Sequence, residues 1–560
     1  MKKIIILGNS QKLDTISHLE NVNGVVTFDL SVEYEKIEKN IPVIYFHRFA
    51  QEKNNWARIN SRAQKWLKEW HKKKLENGKT ILELFKFQEL SLWWIISNFL
   101  WTEKEGIFES IYYFETLNDL LKTYNPTQIE IIGKFDYPIS KILKCFQSKY
   151  SFELLIRKSV IDTRNVKTSR ILYLIDILKM KIISIGNKKP IVIFSENSNQ
   201  WYFRGLEEFF KNNSSKIEFI SNKNFTKFFP TIFLLKRKSI ERKIQKKIIE
   251  LENENEFRET WNFEGVDVYP MIQNLFREKL PMYIFLAKLE LLSAENFAKK
   301  YKPKKIVTTD MLNLRAKALA YTFRNSKTRV IALQVGHKAK NPIIDGNLIH
   351  EDYDQRLLPE LFVWGEFYEE LFSEWEYPKL KITNVGFFMA RKGKKLQLGE
   401  YILFLAAANF GKYDYIHRFD DEIFTIKKIR EKTPSSIKII VKLHPTHPLN
   451  VYEKFLKNEK GVLITNEHDI YDLIENSKII VAKFTTAVLD AITKCKPIIL
   501  VNFGNNSDFM GINDLPFAHN PEEFQVYLEK LFENDEWHIN SRKKFFPIGQ
   551  TKKLVEELLK

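Results

Sequence analysis

Residues Ile437–Phe503 read IKIIVKLHPTHPLNVYEKFLKNEKGVLITNEHDIYDLIENSKIIVAKFTTAVLDAITKCKPIILVNF. The short apolar runs IKIIV, VLI, KIIVA and PIILV are rich in isoleucine and valine, which is typical of strands buried in a parallel sheet. Between the last two runs, TTAVLDAITKC has apolar residues at helical spacing. The pattern predicts strands alternating with helices around a parallel α/β sheet.

Polar loops follow two strands of this predicted sheet. The first contains Lys442, His444 and Pro445, and the second places Thr485 and Thr486 at the start of a helix. The carboxyl ends of adjacent parallel strands face one crevice, which is where open α/β sheets bind ligands. N–H groups and hydroxyls at a helix start attract phosphate, and a nearby histidine or lysine adds positive charge. The loops therefore predict a nucleotide-phosphate pocket, although each motif alone is also typical of a turn or a helix cap.

The order and spacing of these motifs resemble the donor-binding half of GT-B glycosyltransferases. KLHP, DIYDLIENSKIIVAKFTTAVLDA and KPIIL carry the similarity. It points to enzymes of bacterial surface polysaccharides, namely capsule Kdo transferases, sialyl- and polysialyltransferases and CDP-glycerol glycerophosphotransferases. In those families an HP motif and a hydroxyl pair hold the phosphate and ribose of a cytidine nucleotide. The resemblance assigns this role to His444, Pro445, Thr485 and Thr486, and it places Asp490 where an acidic residue often follows the pair.

This resemblance implies an α/β chain with the GT-B fold, in which two Rossmann-like domains face each other, here with an additional N-terminal α/β domain. It also implies a CMP- or CDP-linked donor, with Lys442 adding positive charge as the nucleotide leaves. Side chains and helix dipoles commonly stabilise GT-B leaving groups, and the sequence has no DxD motif in a suitable loop. We therefore expect no essential metal ion and no other cofactor.

The expected boundaries are 1–165 for the N-terminal α/β domain, 166–350 for the acceptor-side Rossmann-like domain and 351–560 for the nucleotide-sugar donor-binding domain. KIIIL, PVIYF, QIEIIG and FELLI are the predicted strands of the first domain. LPELFVWG and KITNVGFF are expected to lie in the donor-binding domain.

A tryptophan-rich stretch, Asn54–Leu121, is predicted to be largely helical. Sugars stack on aromatic faces, so these side chains fit an acceptor platform, but core and interdomain packing is the favoured interpretation. The residues concerned are Trp56, Trp66, Trp70, Trp93, Trp94 and Trp101.

The acceptor side offers candidates for the catalytic base. Pro303–His337 predicts a strand, an acidic loop, a helix, a strand and a glycine loop, and it resembles the last βαβ unit of the acceptor-side domain. That unit often ends in LQHG, whereas here Val335 stands in the histidine's place and His337 follows the glycine. Asp310 is the preferred base, because inverting transfer needs a carboxylate or imidazole to take the acceptor hydroxyl's proton. Glu196 and His337 are its rivals, and Asp310 also fits a helix cap.

Composition limits the kinds of partner. The formal net charge of +18 points to an anionic partner such as a membrane surface or an acidic glycan. No zinc-finger or RNP signature indicates nucleic acid, and an AT-rich genome would also explain the many lysines. With only Cys145 and Cys495 as cysteines, no disulfide framework is expected. The start of the chain predicts a strand and not a signal peptide, and no convincing transmembrane helix appears, so the expected location is the cytoplasm.

A basic amphipathic helix is predicted within Phe229–Glu254, with its basic part at 235–250. Such a helix can lie on the anionic inner face of the cytoplasmic membrane. A solvated connecting helix fits the same pattern.

The resulting hypothesis is a glycosyltransferase that moves a sugar from a nucleotide-activated donor to a surface polysaccharide or a lipid-linked glycan. Alternatives of the same fold are a UDP-sugar transferase, a nucleotide-sugar 2-epimerase and a non-catalytic glycan-binding scaffold. Two departures from the family pattern favour the scaffold. Val335 replaces the usual histidine, and Lys483 with Phe484 occupies the place of an acidic residue that often precedes the hydroxyl pair.

Overall fold

The structure is a computed structural model. It describes residues 2–8, 22–28, 42–46, 49–50, 69–75, 77–102, 106–133, 135, 139–157, 189–195, 200–203, 205–263, 266–309, 313–337, 354–374, 380–387, 393–394, 396, 400–407, 419–444, 447, 449–483, 485–503, 512, 515–533 and 551–560.

Strands and helices alternate along most of the described chain. The strands are β1 (Lys3–Leu7), β2 (Val22–Thr27), β3 (Val43–Tyr45), β4 (Lys86–Phe87), β5 (Leu90–Ser91), β6 (Gln128–Ile132), β7 (Glu153–Arg157), β8 (Ile191–Ile193), β9 (Ile217–Phe219), β10 (Asn262–Phe263), β11 (Val266–Asp267), β12 (Lys305–Thr308), β13 (Arg329–Leu333), β14 (Glu360–Val363), β15 (Ile382–Asn384), β16 (Tyr401–Leu405), β17 (Lys438–Lys442), β18 (Val462–Thr465), β19 (Ile479–Ala482), β20 (Ile498–Val501) and β21 (Phe517–Ala518). The α-helices are α1 (Ile81–Leu84), α2 (Trp93–Thr102), α3 (Ile107–Tyr124), α4 (Ile139–Phe146), α5 (Glu207–Asn212), α6 (Asn222–Phe225), α7 (Thr231–Leu235), α8 (Arg237–Glu252), α9 (Asn255–Glu259), α10 (Tyr269–Asn274), α11 (Leu280–Lys300), α12 (Leu314–Phe323), α13 (Glu366–Glu374), α14 (Phe419–Lys432), α15 (Leu449–Leu456), α16 (Ile470–Asn476), α17 (Ala487–Thr493), α18 (Pro521–Glu533) and α19 (Thr551–Leu559).

The first of two compact units comprises Met1–Ser169 and Lys236–Leu286. Its main sheet is parallel, with strand order β3-β2-β1-β6-β7. The predicted strands KIIIL, PVIYF, QIEIIG and FELLI correspond to β1, β3, β6 and β7, so these predictions are confirmed. Isoleucine and valine fill the central strands because both faces of a parallel sheet are covered.

Tryptophans of this unit form part of its core. Trp70, Trp93 and Trp94 are at most 4 % exposed, so these three cannot serve as an exposed acceptor platform. Trp70 packs against Trp261 with ring centroids 4.8 Å apart, and its Nε1–H donates to Oγ1 of Thr260 at 3.2 Å. Of the other three tryptophans considered for the platform, Trp56 and Trp66 lie outside the described residues, as does the side chain of Trp101.

The second unit, Arg170–Leu235 with Ala287–Lys560, contains two parallel sheets. The first of them, which we call the middle sheet, has strand order β15-β14-β13-β12-β8-β9. Read from the β9 edge and numbered by position in the chain, the order is 2-1-3-4-5-6, which is a doubly wound arrangement.

One expectation about this sheet was wrong. LPELFVWG and KITNVGFF were expected in the donor-binding domain, but their strands β14 and β15 extend the middle sheet beyond β13. Leu361 pairs with Ala332 and Phe362 pairs with Leu333. The apolar run of β14 could be buried in either sheet, and its long-range pairing with β13 places it in the middle sheet.

The other sheet of this unit, the C-terminal sheet, has strand order β18-β17-β16-β19-β20-β21, parallel throughout. Numbered by position in the chain, this is 3-2-1-4-5-6, the order of the Rossmann fold. β16, β19 and β20 are buried along their whole length. The strands predicted from Ile437–Phe503 are confirmed as β17, β18, β19 and β20.

The last helix of the chain packs against the middle sheet. Lys305 begins β12 and is buried, and its Nζ donates to the backbone carbonyls of Glu557 at 2.7 Å and Leu558 at 2.9 Å. These carbonyls end α19, where helical carbonyl groups lack partners and attract a positive charge. Leu554 and Leu558 of α19 are buried as well. Burial lowers the pKa of Lys305. The carbonyls of α19 and the nearby carboxylates of Glu360 and Glu557 oppose this effect and favour the charged form.

The predicted fold class is confirmed, since the chain is α/β with two Rossmann-like sheets in one unit and an additional N-terminal α/β sheet. The boundaries at 165 and 350 stay a prediction. Among the described residues, no helix combines the length and the apolar character needed to cross a membrane.

Candidate functional site

The C-terminal sheet has a switch point between β16 and β19. β17 and β18 lie on one side of β16, and β20 and β21 lie on the opposite side of β19. Ligands of open α/β sheets bind outside the carboxyl ends of the strands at such a point. Ala407 follows β16, Lys442 and His444 end and follow β17, and Thr485 and Thr486 follow β19. The predicted donor-binding segments therefore meet at one edge of one sheet.

The hydroxyl pair lies at the start of α17, as predicted. Thr485 Oγ1 accepts a hydrogen bond from the backbone N–H of Ala487 at 3.3 Å. Thr486 is the residue before the helix, yet its side chain makes no bond to the helix's own N–H groups. Instead, Thr486 Oγ1 accepts from the backbone N–H of His337 at 3.1 Å. The hydroxyl pair is thus tied to a loop that follows β13 in the middle sheet.

That loop, residues 334–337, is held by hydrogen bonds at the carboxyl edge of the middle sheet. Gln334 Nε2 donates to the carbonyl of Gly336 at 3.1 Å, and Gln334 Oε1 accepts from the backbone N–H of Trp364. Gly336 has φ +82°, a conformation that favours glycine. His337 is buried, with its Nδ1 2.7 Å from the hydroxyl of Tyr368. Burial raises the pKa of Tyr368 well above its usual value, so that hydroxyl keeps its proton.

Lys442 and His444 bring basic groups to the edge of the C-terminal sheet. Lys442 Nζ donates to the backbone carbonyl of Asn466, in the loop after β18, at 2.8 Å. Burial lowers the pKa of both Lys442 and His444. An approaching phosphate would offset this desolvation and favour the protonated forms.

The remaining donor-side candidate lies inside a helix. Asp490 is in the middle of α17 and is buried, and Thr493 Oγ1 donates to its backbone carbonyl at 2.7 Å. Lys483, which stands where the related families often have an acidic residue, is buried directly after β19. The charge pattern around the hydroxyl pair therefore differs from that of the families the sequence resembles.

The other predicted site residues, Asp310, Glu196 and Pro445, lie outside the described residues. Asn313 caps α12, and its Oδ1 accepts from the backbone N–H of Ala316 at 2.7 Å. The role of Asp310 stays a prediction.

His447 is a further residue at this sheet edge, and it was not among the residues predicted from sequence. It is buried three residues after His444, and its Nδ1 lies 3.1 Å from the hydroxyl of Tyr452. Burial, together with repulsion from His444, lowers the pKa of His447 to about 4. The second His-Pro pair, at residues 447–448, was the available signal, because it repeats the first within one turn.

Among the described residues, no three His, Cys, Asp or Glu side chains are grouped so that they could hold a metal ion. Asp420 and Asp421, the nearest approach to a DxD motif, lie in α14. The polar groups gathered at the two sheet edges are hydroxyls, backbone N–H groups, imidazoles and an ammonium. Groups of this kind suit an anionic ligand.

No protein-family model matches the chain, and no curated protein matches it in sequence. Solved structures do match its fold. S. aureus MnaA in complex with UDP is 9 % identical with TM-score 0.41, over 66 % of this chain and 96 % of that one. UDP-GlcNAc 2-epimerase of Methanocaldococcus jannaschii in complex with UDP-GlcNAc and UDP is 14 % identical with TM-score 0.39, over 66 % and 98 %. The glycosyltransferase SnogD of Streptomyces nogalater is 12 % identical with TM-score 0.36, over 66 % and 100 %. With identities of 9–14 % and TM-scores of 0.36–0.41, these likenesses assign no activity, substrate or site residue to this chain.

Proposed function

We propose that this chain is a nucleotide-sugar-dependent glycosyltransferase that binds its donor between the middle and C-terminal sheets. The hydrogen bond from the His337 N–H to Thr486 Oγ1 carries the proposal. It joins the carboxyl edges of two Rossmann-like sheets at the hydroxyl pair, which is where a nucleotide-sugar would contact both. The proposed domains are 1–165, 166–350 and 351–560. The middle sheet continues past the second boundary, because β14 and β15 follow residue 350 and pair within that sheet.

The donor phosphate would lie near His444, with Thr485 and Thr486 contacting the phosphate or the ribose. Lys442, Pro445 and Asp490 complete the proposed donor site. In the reaction, an acceptor hydroxyl oxygen forms a bond to the anomeric carbon while the bond from that carbon to the nucleotide's phosphate oxygen breaks. The basic groups at the sheet edge stabilise the negative charge that the departing nucleotide gains.

The hydroxyl proton goes to a general base. Asp310 is the first candidate, and Glu196 and His337 are the others. His337 can accept a proton only through a ring nitrogen that Tyr368 does not occupy, because Tyr368 lies at Nδ1. The proposed acceptor is a surface polysaccharide or a lipid-linked glycan.

The sequence resemblance favours a CMP- or CDP-linked donor, and a UDP-sugar is the alternative. A nucleotide-sugar 2-epimerase would use the same cleft. A binding scaffold without turnover is favoured by Lys483 and Val335, which replace residues that the related enzymes often use.

The first test measures thermal stability with CMP, CDP, UMP, UDP and GDP, on wild type and His444→Ala. A ligand that binds only the native state stabilises it by about 2.7 kcal/mol at roughly 100 times its Kd. We expect CMP or CDP to raise the Tm of wild type, and His444→Ala to reduce that gain. His519→Ala is the matched control. His519 follows β21, the edge strand that is separated from β17 by three other strands.

Preference for UDP or UMP would replace the cytidine donor with the UDP-sugar alternative. No shift with any nucleotide would contradict the proposed donor site. Nucleotide binding without release of nucleotide from CMP-, CDP- or UDP-sugars in the presence of glycan acceptors would favour the scaffold.

We also propose peripheral attachment to the inner face of an anionic membrane through α8. Ile248 of this helix is buried and Ile240 and Ile244 are partly buried, so its apolar stripe packs within its own unit. The exposed side is basic, with Arg237, Lys238, Arg242, Lys243, Lys246 and Lys247. Attachment would therefore be electrostatic, at about 1 kcal/mol per basic residue near the surface, without insertion of the apolar stripe.

Reversal of charge at Lys243, Lys246 and Lys247 to glutamate is expected to abolish sedimentation with phosphatidylglycerol vesicles at low salt. Wild type should bind and be released as salt rises, because screening weakens surface electrostatics. Lys299, Lys300 and Lys302 are exposed at the end of α11 and just beyond it, and their reversal to glutamate gives the same change in net charge. Equal loss of vesicle binding in both triple variants would show that binding depends on net charge and not on α8.

A further inference from the structure

A buried polar network lies behind the proposed donor site. Glu422 of α14 is only 2 % exposed. Its Oε1 accepts from the backbone N–H of Ala407 at 2.5 Å, and its Oε2 accepts from the hydroxyl of Tyr452 at 2.6 Å. Tyr452, on α15, also contacts Nδ1 of His447 at 3.1 Å, and the two rings are nearly parallel. Burial of a carboxylate, a phenol and an imidazole is costly unless each is hydrogen-bonded, so this arrangement is specific.

The chemistry of the three groups fixes the positions of the protons. The Tyr452 hydroxyl donates to Glu422 Oε2, and a tyrosine hydroxyl has a single hydrogen to donate. The Tyr452 hydrogen therefore points to Glu422, and the Tyr452 oxygen accepts from His447. His447 must then carry its hydrogen on Nδ1. Because its pKa is lowered to about 4, His447 is neutral near pH 7 with Nε2 unprotonated.

The network joins two loops at the carboxyl edge of the C-terminal sheet. Ala407 follows β16, the strand that borders the switch point. His447 follows the neighbouring strand β17, and its backbone N–H donates to the carbonyl of His444 at 2.9 Å. One carboxylate thus sets the backbone position at Ala407 and, through Tyr452 and His447, the turn that contains His444.

We propose that Glu422, Tyr452 and His447 are positioning residues of the donor site. They hold Ala407, after β16, and His444, after β17, in the arrangement that binds the nucleotide, and none of them needs to touch it. This inference rests on the proposed function, since it concerns the same site.

Calorimetric titration of UDP and of CMP into Tyr452→Phe tests the positioning role. Phenylalanine keeps the ring and removes the hydroxyl, so the His444 turn loses its link to Glu422. Kd for the nucleotide that wild type binds is expected to rise about tenfold, as loss of one well-made buried hydrogen bond would give.

Tyr401→Phe is the matched control. Tyr401 is fully buried at the amino end of β16, and its hydroxyl donates to the carbonyl of Leu473 at 2.8 Å. Its removal costs a comparable buried hydrogen bond at the opposite end of the same strand. We expect a similar fall in Tm and an unchanged Kd, which separates positioning from stability.

Nitrogen NMR of histidine-labelled protein tests the proton arrangement without any ligand. Wild-type His447 is expected as the Nδ1–H tautomer. In Glu422→Gln, the amide oxygen still serves Ala407 while the amide N–H donates to Tyr452. Tyr452 must then donate to His447, and the tautomer is expected to reverse to Nε2–H.

An Nε2–H tautomer in wild type would overturn the inference, as would equal changes of Kd in Tyr452→Phe and Tyr401→Phe. Unchanged Kd in Tyr452→Phe, with clear binding by wild type and weaker binding by His444→Ala, would overturn this inference alone and leave the proposed function standing. Absence of binding to wild type would overturn both, whatever the tautomer.

Discussion

Replacement of Trp70 by alanine is expected to lower the free energy of unfolding by about 3–5 kcal/mol, as for other large-to-small changes at buried aromatic residues. Trp70 is fully buried, and its ring lies 5.2 Å from that of Trp93 and 4.8 Å from that of Trp261. The alanine would leave a cavity and would also leave the Thr260 hydroxyl without its indole donor. Urea denaturation followed by circular dichroism measures the change.

Trp70→Phe is the control for this prediction. It keeps an aromatic ring in the core and removes the indole N–H, so we expect a loss of about 1–2 kcal/mol. A Trp70→Ala variant with wild-type stability and weakened glycan binding would contradict the core assignment. It would restore the idea of an acceptor platform in this stretch.

The second large effect is expected for Gly393→Ala. A Cβ at this position would lie 2.2 Å from the backbone oxygen of Tyr471 and 2.8 Å from Cβ of Glu475. Real Cβ atoms do not approach backbone that closely, so the chain around Gly393 must move away from α16. Displacement there would break the bond from the Lys394 N–H to Asp472 Oδ1, 2.7 Å long.

Further bonds hold the same segment. The Leu396 N–H donates to Asn476 Oδ1 at 2.9 Å, and Asn476 Nδ2 donates to the carbonyl of Lys394 at 2.7 Å. With these lost, we expect destabilisation of about 1–3 kcal/mol and faster proteolysis between β15 and β16. Gly24→Ala is the control, because a Cβ there meets its neighbours at 3.5 Å or more, an ordinary contact. Equal proteolysis of the two variants would show that the close approach at Gly393 does not hold this segment.

Local pattern was sufficient to predict most strands of the chain. Ile439, Ile440 and Val441 lie in β17 and are buried as their run predicts. The position of Thr486 at a helix start also followed from sequence, because the apolar spacing of TTAVLDAITKC begins directly after it. Such features depend on neighbours within a few residues.

Features that depend on distant partners could not be predicted in this way. The run LFV of β14 indicates a buried strand, but its pairing with Ile331 to Leu333 selects the sheet. The contact of Tyr452 with Glu422 spans thirty residues, and neither residue is unusual in its own helix. The bond between His337 and Thr486 spans 149 residues. Sequence could place each end of it in a loop, but only the fold brings the two ends together.

The anchoring of α19 by Lys305 has a consequence for synthesis on the ribosome. β12 and its neighbours in the middle sheet emerge long before residues 551–559, yet the Lys305 ammonium and the pocket for Leu554 and Leu558 are completed only by that helix. Until then the nascent chain carries a buried-type lysine without its carbonyl partners and an uncovered apolar patch. The middle sheet is therefore completed only after the last helix has been synthesised.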